Sequence, residues 1–600
     1  MPPTTGQLEQ AGAGPWNPGI KSSLPSKYLP LSTMFRPENV FTSVETAREL
    51  SDFTGLPIQQ LIFFRPERLI VHELLIRVSA DIFVSDGSRY EDLGVNFRSV
   101  VNRILTGYIN PELEQIVKRF EQLKFQIESM VERELDESLF KKTTRAEPKP
   151  GAFSFSKLFR SGRRKPDIRP IDSIESRDQN IISNWRRKAE IEDDRQSRVL
   201  YQSLLKVSNA IIARHGRLMG DRELLKSLVT GFACNEYGSR LIGELIAPYI
   251  IEAADQENYI LLPPQSQPVV INIKGASASG KSTMRPIQQK QIEKLGLNWQ
   301  EFALISPDIW RKYLLDYDSL GVAYKYAGTL AGDEIPIIDQ KLDAYISAKA
   351  KQGRISHLLI DRFRFDSFAS GYDSEKGSNL LTRFGHTIYL AFMITPPEAT
   401  VERAWIRGLQ VGRYKAVDDL LDHNIEAFKG MPVLFFTWVL REDKKVFYEF
   451  LDNSVDKGSK PRTVAFGFNN EMYLLDFKCM LDIVRYTKIN IHASNLAEVY
   501  PAEVDMGGAA NAGFLLKCAR KIRIIHFVDR ESWKIYACME SSEMTWVDPE
   551  LTARILREEE PRAGFQAIAP GLVEKMSQIQ HKSARPVPAE ACHYTMGALN

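Results

Sequence analysis

The hydrophobic positions of this 600-residue chain change their period part-way along it. Up to about residue 262 they recur at helical spacing. PERLIVHELLIRVSADIF puts Pro66 at a first helical position and Leu69, Ile70, Leu74, Ile76 and Val78 on one broad apolar face. A second long helix starts at Asn110 and Pro111 and carries Leu113, Ile116, Val117, Phe120, Leu123, Ile127 and Val131 at near-heptad spacing, ending near Phe140. That length suits a bundle helix better than a free coiled coil. A further helical stretch, about 174–256, ends at the paired prolines of LLPPQSQP. From 268 onward the apolar residues come instead in short runs, PVVINI, FALI, HLLI, TIYLAFMI and VFYEFL, separated by helical segments such as 333–351. Strands alternating with helices predict a parallel α/β sheet. After about 465, MYLLDFKCMLDIVRY reads as a helix, and IRIIHFVD, WKIYACME and EMTWVD read as short antiparallel strands.

These changes of pattern divide the chain. A disordered leader, 1–40, is rich in Pro, Gly, Ser and Thr. An all-helical module occupies 41–140 and 173–262, an α/β core 263–465, an α+β appendage 466–570, and a flexible tail 571–600. Between the helical parts lies a basic linker, 141–172, with ten Lys or Arg against two acids from Lys141 to Pro170. It reads as a solvated tether, although Phe153, Phe155 and Phe159 leave a contact with RNA or anionic lipid open. Elsewhere the charge balances: a net +2, with 44% hydrophobic and 26% charged residues, excludes a global nucleic-acid or membrane field. The N-terminus shows no signal-peptide pattern and no apolar run has bilayer length, so no membrane span is expected. Five cysteines without C-x-x-C spacing predict a reducing, cytoplasmic setting with neither a disulfide frame nor a zinc site. His72-Glu73 opens a zinc-protease pattern, but Ile76 stands where the second histidine belongs, so His72 reads as a packing residue.

The candidate chemistry begins at GASASGKST. Gly275, Gly280, Lys281 and Ser282 fill the phosphate-loop pattern directly after an apolar strand. Glycines let consecutive N–H groups turn toward phosphate oxygens, the lysine reaches the β and γ phosphates, and the serine hydroxyl can ligate Mg²⁺. Pro286 should kink the following helix or shorten its first segment. The second strand ends in SPDIWRKYL. Asp308 there faces the crevice beyond the strand ends, as a base for an acceptor hydroxyl or simply as a helix cap, with Arg311 on the same helix face. Asp361, at the end of HLLID, can hold Mg²⁺ or make a turn. Arg403 and Arg407 share a helix face and Arg413 follows a glycine, which suits the equatorial oxygens of a transferring phosphoryl group. Asp452 and Asn453 end the fifth run. TKIN at 487–490 lacks the acid of a guanine-selecting segment, so ATP is expected rather than GTP.

Taken in order, GASASGKST, SPDIWR, GDEI, LLID, TPPEATVERAWIRG with a downstream GR, and LDNS resemble the zeta-toxin family of P-loop kinases over about 265–460. The resemblance implies a doubly wound P-loop kinase core and Mg²⁺- and ATP-dependent phosphorylation of a small-molecule hydroxyl, often on UDP-N-acetylglucosamine. It implies ATP binding by Gly275, Ala276, Ser277, Ala278, Ser279, Gly280, Lys281, Ser282 and Thr283, with Arg407 alongside. Ser282 and Asp361 would hold the metal, Asp308 would be the base beside Lys281, and Arg403 and Arg413 would clamp phosphates. Asp308, Arg311 and Glu334 would meet the acceptor. Arg362 and Arg364 depart from the family pattern; two extra cations suit a larger or more anionic acceptor and keep a kinase for nucleic-acid 5′-hydroxyl ends open. A third reading is an ATP-gated interaction protein whose helical module binds a protein partner. In a variant of it, that module masks the site in cis.

Overall fold

The structure, a computed structural model, describes residues 13–87, 89, 91–140, 174–362, 379–456, 458–572 and 576–598. The basic linker and Arg364 lie outside the described residues. Two compact units result: Met34–Leu74 with Thr106–Tyr249, and Met1–Thr33 with Leu75–Leu105 and Ile250–Asn600. The expected helical module is therefore not one body, because the division falls inside the helices Pro66–Asp81 and Ser239–Gln256. Among the described residues no helix is long and apolar enough to cross a membrane.

The first unit is helical. Its helix Leu113–Leu135 buries Ile116, Phe120, Leu123, Ile127 and Val131, the face expected from their spacing. Asn110–Glu112 form a short 3₁₀ turn, so Pro111 precedes the helix Leu113–Leu135 rather than opening it. His72 is fully buried with its ring edge-on to Phe64 at 4.7 Å, a packing role.

The second unit is built on one sheet. Its strands are β1 (Val269–Lys274), β2 (Phe302–Ile305), β3 (His357–Ile360), β4 (Thr387–Ile394), β5 (Lys445–Asp452), β6 (Arg462–Phe468), β7 (Glu471–Leu474), β8 (Ile524–Asp529), β9 (Lys534–Glu540), β10 (Glu543–Val547), β11 (Gln580–His581) and β12 (Arg585–Pro586). The order is β2-β3-β1-β4-β5-β6-β7-β8-β9-β10-β11, with β12 on β9. The first five strands are mutually parallel. β1 lies between β3 and β4: the chain runs from β1 to β2 on one side and crosses from β3 to β4 on the other, which opens a crevice at the C-terminal end of β1. Every residue of β1 is buried, as expected of a parallel strand covered on both faces.

Among the described residues the longer helices in the chain between the parallel strands are α1 (Arg285–Lys294), α2 (Ile335–Lys351), α3 (Pro397–Val411) and α4 (Val417–Val439). Phe435 of α4 packs against Phe392 of β4 and Phe450 of β5, within a cluster that continues to Phe527 and Ala537. Burying each such side chain contributes roughly 1.5–3 kcal/mol. The residues expected to form a separate appendage thus share this sheet and core. β6 is an unanticipated strand, and β7 occupies the start of the segment read as a helix, which begins only at Phe477.

Both expected loose ends are also corrected where described. Trp16 packs beside Val401 and Val417, and Leu24, Tyr28 and Leu31 pack on Leu315, Leu320 and Leu330. At the other end, β11 and β12 pair with the sheet and Met596 is buried. A few large side chains anchor these otherwise polar stretches.

Candidate functional site

The strand-to-helix connection after β1 turns sharply because Ala278 (φ +62°) and Gly280 (φ +97°) both take left-handed backbone. Ser279 N–H donates to the Ala276 carbonyl at 3.2 Å, and Thr283 N–H and hydroxyl both donate to the Gly280 carbonyl at 3.1 and 2.6 Å. Lys281 lies back over the loop, its Nζ 3.0 Å from the Gly275 carbonyl and 2.9 Å from that of Ala276. Burial pulls its pKa down, and the nearby Asp361 and Asp308 offset part of that. Ser277 is half-buried on the same turn. Residues Lys281–Met284 form a tight 3₁₀ turn and α1 then begins at Arg285, which leaves Pro286 in a first turn that needs no N–H from it.

The neighbouring strand ends bring acids to this loop. The Ser282 hydroxyl donates to Asp361 Oδ2 at 2.9 Å, and Arg285 lies 3.5 Å from the same oxygen. Asp361 N–H bonds the Ile305 carbonyl at 2.9 Å and so ties the ends of β3 and β2 together. Past β2, Asp308 sits in the short turn Pro307–Trp310, anchored by Trp310, whose indole N–H donates to Ser79 Oγ at 3.2 Å. Its carboxylate meets Arg413 at 2.5 Å and Arg311 at 3.1 Å. Crowding by protein pushes the Asp308 pKa up, but Arg413 and Arg311 win and hold it well below the usual carboxylate range. The side chain keeps 45% exposure, so it is paired yet reachable from the crevice.

Other expected residues do different work. Arg403 donates to the backbone carbonyls of Asn453 and Val455 at 2.8 and 3.2 Å, bracing the turn after β5 rather than pointing a free guanidinium at the crevice. Asn453 in turn donates to the Ser279 carbonyl at 2.7 Å, and Thr395 donates to it at 3.1 Å, so the ends of β5 and β4 grip the loop. Arg407 lies on α3, close enough to Lys281 and Lys415 to lower both their pKa values. Glu334 is fully buried just before α2. The reading of Arg362 as an acceptor-facing cation is corrected: its side chain is 1% exposed and paired with Asp339 and Asp343 of α2 at 2.7 and 2.6 Å.

Two residues escaped the sequence reading. Lys415 Nζ lies 3.0 Å from His423 Nε2. Burial, opposed by Asp419 and reinforced by Arg407, Arg311 and Arg413, pushes Lys415 down to about 7. Burial and Lys415 push His423 down to about 2, which keeps it neutral. Lys415 stands only two residues beyond the GR that marks Arg413, within reach of the same signal; nothing in the local pattern marks His423.

An anion entering this crevice would therefore meet several cations, with two carboxylates beside them. Among the described residues no three His, Cys, Asp or Glu side chains converge as a metal site. The pair that could hold a cation is Ser282 with Asp361.

No protein-family profile matches the chain, and no curated protein matches it. A solved structure from the PezAT chromosomal toxin-antitoxin system of the human pathogen Streptococcus pneumoniae is similar at 17% identity, over 32% of this chain and 71% of that one, with a TM-score of 0.23.

Proposed function

We propose that the chain is an ATP-dependent phosphotransferase acting on a small-molecule hydroxyl, a kinase of the zeta-toxin kind. The observation that carries this reading is the convergence, beyond the ends of β1, β2 and β3, of Lys281, the Ser282–Asp361 pair and the Asp308–Arg413–Arg311 cluster. A hydroxyl and a carboxylate oxygen side by side fit Mg²⁺, which takes few protein ligands and keeps positions for phosphate oxygens and water. Bound there, it would neutralise charge on the β and γ phosphates.

The chain's own groups do the rest. Loop N–H groups and Lys281 orient the phosphates. Arg413 leaves Asp308 for the γ-phosphoryl oxygens, joined by Arg407. That exchange frees Asp308 Oδ2 and, by removing a cation from it, raises its basicity. Asp308 then accepts the proton of the acceptor hydroxyl as the new O–P bond forms and the bond to ADP breaks. Arg403 serves by holding Asn453 against the loop. UDP-N-acetylglucosamine is the first acceptor to try. Arg362 no longer favours a nucleic-acid end, since two carboxylates already match its charge.

The test is mass-spectrometric detection of phosphate gain after purified protein and Mg·ATP are added to a metabolite extract spiked with UDP-N-acetylglucosamine, with Lys281→Ala as the blank. A product made only by wild type supports the reading and names the acceptor class. Intact ATP binding with no phosphorylated small molecule rejects it in favour of a protein or nucleic-acid acceptor, or of the ATP-gated partner reading.

A further inference from the structure

Along β4 and β5, Ile388, Leu390, Phe392, Val446, Tyr448 and Phe450 share a core with α4. Strand alternation therefore turns Tyr389, Ala391, Met393, Phe447, Glu449 and Leu451 to the other face. Residues 593–598 lie across that face. The Tyr594 ring stacks on Phe447 at 3.8 Å. Met596 is packed with Ile273, Met284, Met393 and Leu451, with Ile287 against them. These contacts reach the strand before the glycine loop, the turn after it and the first part of α1. At the far end of α1, Gln291 and Lys294 donate to the His593 carbonyl at 2.8 and 3.0 Å.

What pins the segment is a buried acid. Glu449 is 3% exposed, and its two carboxylate oxygens accept the N–H groups of Met596 at 2.7 Å and Gly597 at 2.9 Å. Thr463 donates a third bond at 2.7 Å. Burial pushes the Glu449 pKa up, with these bonds offsetting part of the cost. Gly597 allows the close approach, since a Cβ there would lie 2.3 Å from Thr463 Oγ1. Burying a carboxylate is costly, and here it fixes a segment whose other contacts fall on both ends of α1. Beside the segment, a cleft of about 510 Å³ opens between Glu590, Ala591 and Tyr594 on one side and Tyr389, Phe447 and Phe468 of the sheet on the other.

We infer that residues 593–598 are a strap that sets the glycine loop from beneath, with Glu449 as its positioning residue. The functional half of this inference rests on the nucleotide reading of the loop; the mechanical half does not. The experiment is hydrogen exchange on the full nucleotide-free chain, paired with calorimetric Mg·ATP titration, for Met596→Ala, Glu449→Gln and the volume-conserving Met596→Leu. Met596→Ala and Glu449→Gln should quicken exchange at 281–294 about fivefold or more and weaken Mg·ATP about tenfold, while Met596→Leu restores wild-type values for both. Faster exchange at 593–598 with none at 281–294 overturns the strap, whether or not ATP binds. Faster exchange at 281–294 in a protein whose wild type binds no ATP upholds the strap and removes the nucleotide reading instead. Should Met596→Ala not fold, Tyr594→Ala loosens the same segment from a half-buried position.

Discussion

Asp308 is held between two guanidinium groups, so its ionised form is favoured far below neutral pH and its oxygens are occupied until something competes for Arg413. Replacing it by asparagine keeps the shape but removes the proton acceptor. Transfer by Asp308→Asn should fall about 10²–10⁴-fold while Mg·ATP affinity changes by less than about threefold. Single-turnover phosphate transfer and titration calorimetry separate the two, and an active variant would sink the base assignment. Lys281→Ala should do the opposite in order, losing affinity first. Lys281 stands out in the sequence because it closes a glycine-rich turn directly after an apolar strand, whereas Asp308, at the end of the second apolar run, reads equally as a helix cap. Arg362 does not stand out as a paired residue. The acids that match its charge, Asp339 and Asp343, lie about 20 residues upstream on α2, where no local spacing links them to it.

At the scale of the element, Gly280 is the position where backbone and neighbour agree. Its φ of +97° disfavours any side chain, and a Cβ would lie 2.3 Å from Asn453 Nδ2. Gly280→Ala should cost about 1–3 kcal/mol and lower Tm, and adding Asn453→Ala should recover part of that loss, a coupling measurable by a double-mutant cycle. Farther along the sheet, His526 of β8 meets Glu471 of β7 at 2.9 Å. Burial opposes its charge, but bonding to Cys538 and Glu471 prevails and raises it to about 9. A histidine raised on folding contributes fully below its ordinary pKa near 6.5 and loses that contribution as pH climbs through the folded value. Thermal stability should therefore fall by on the order of 2 kcal/mol between pH 6.5 and 9.5, and Glu471→Gln should flatten the slope. The parallel strands were legible because burial on both faces writes them as unbroken apolar runs. β6 was not: it opens on Arg462, contains Gly467 and follows a polar turn. β7 was hidden by its length, since four residues beside a helix carry no period of their own.

At the scale of the molecule, the expected boundaries followed changes of composition, whereas the compact units follow packing. The residues from 466 onward share the sheet and core that carry the site, and 75–105 belong to that unit although they read as part of the helical module. This division gives the ATP reading a global test. Ligand that binds only the folded state stabilises it by about 2.7 kcal/mol at a hundred times Kd. Mg·ATP at that level should slow amide exchange at the ends of β1, β2 and β3, in 275–283 and along α3. The helix Leu113–Leu135 should keep its rates, and Lys281→Ala should erase the protection. The contrast also separates the two classes of function still in play. Protection confined to the crevice is what a kinase needs, because its binding energy is directed at the reacting phosphates. Protection that extends into Leu113–Leu135 and survives Asp308→Asn would mean that ATP is read by the helical unit, and would shift the assignment from phosphoryl transfer to a nucleotide-gated interaction.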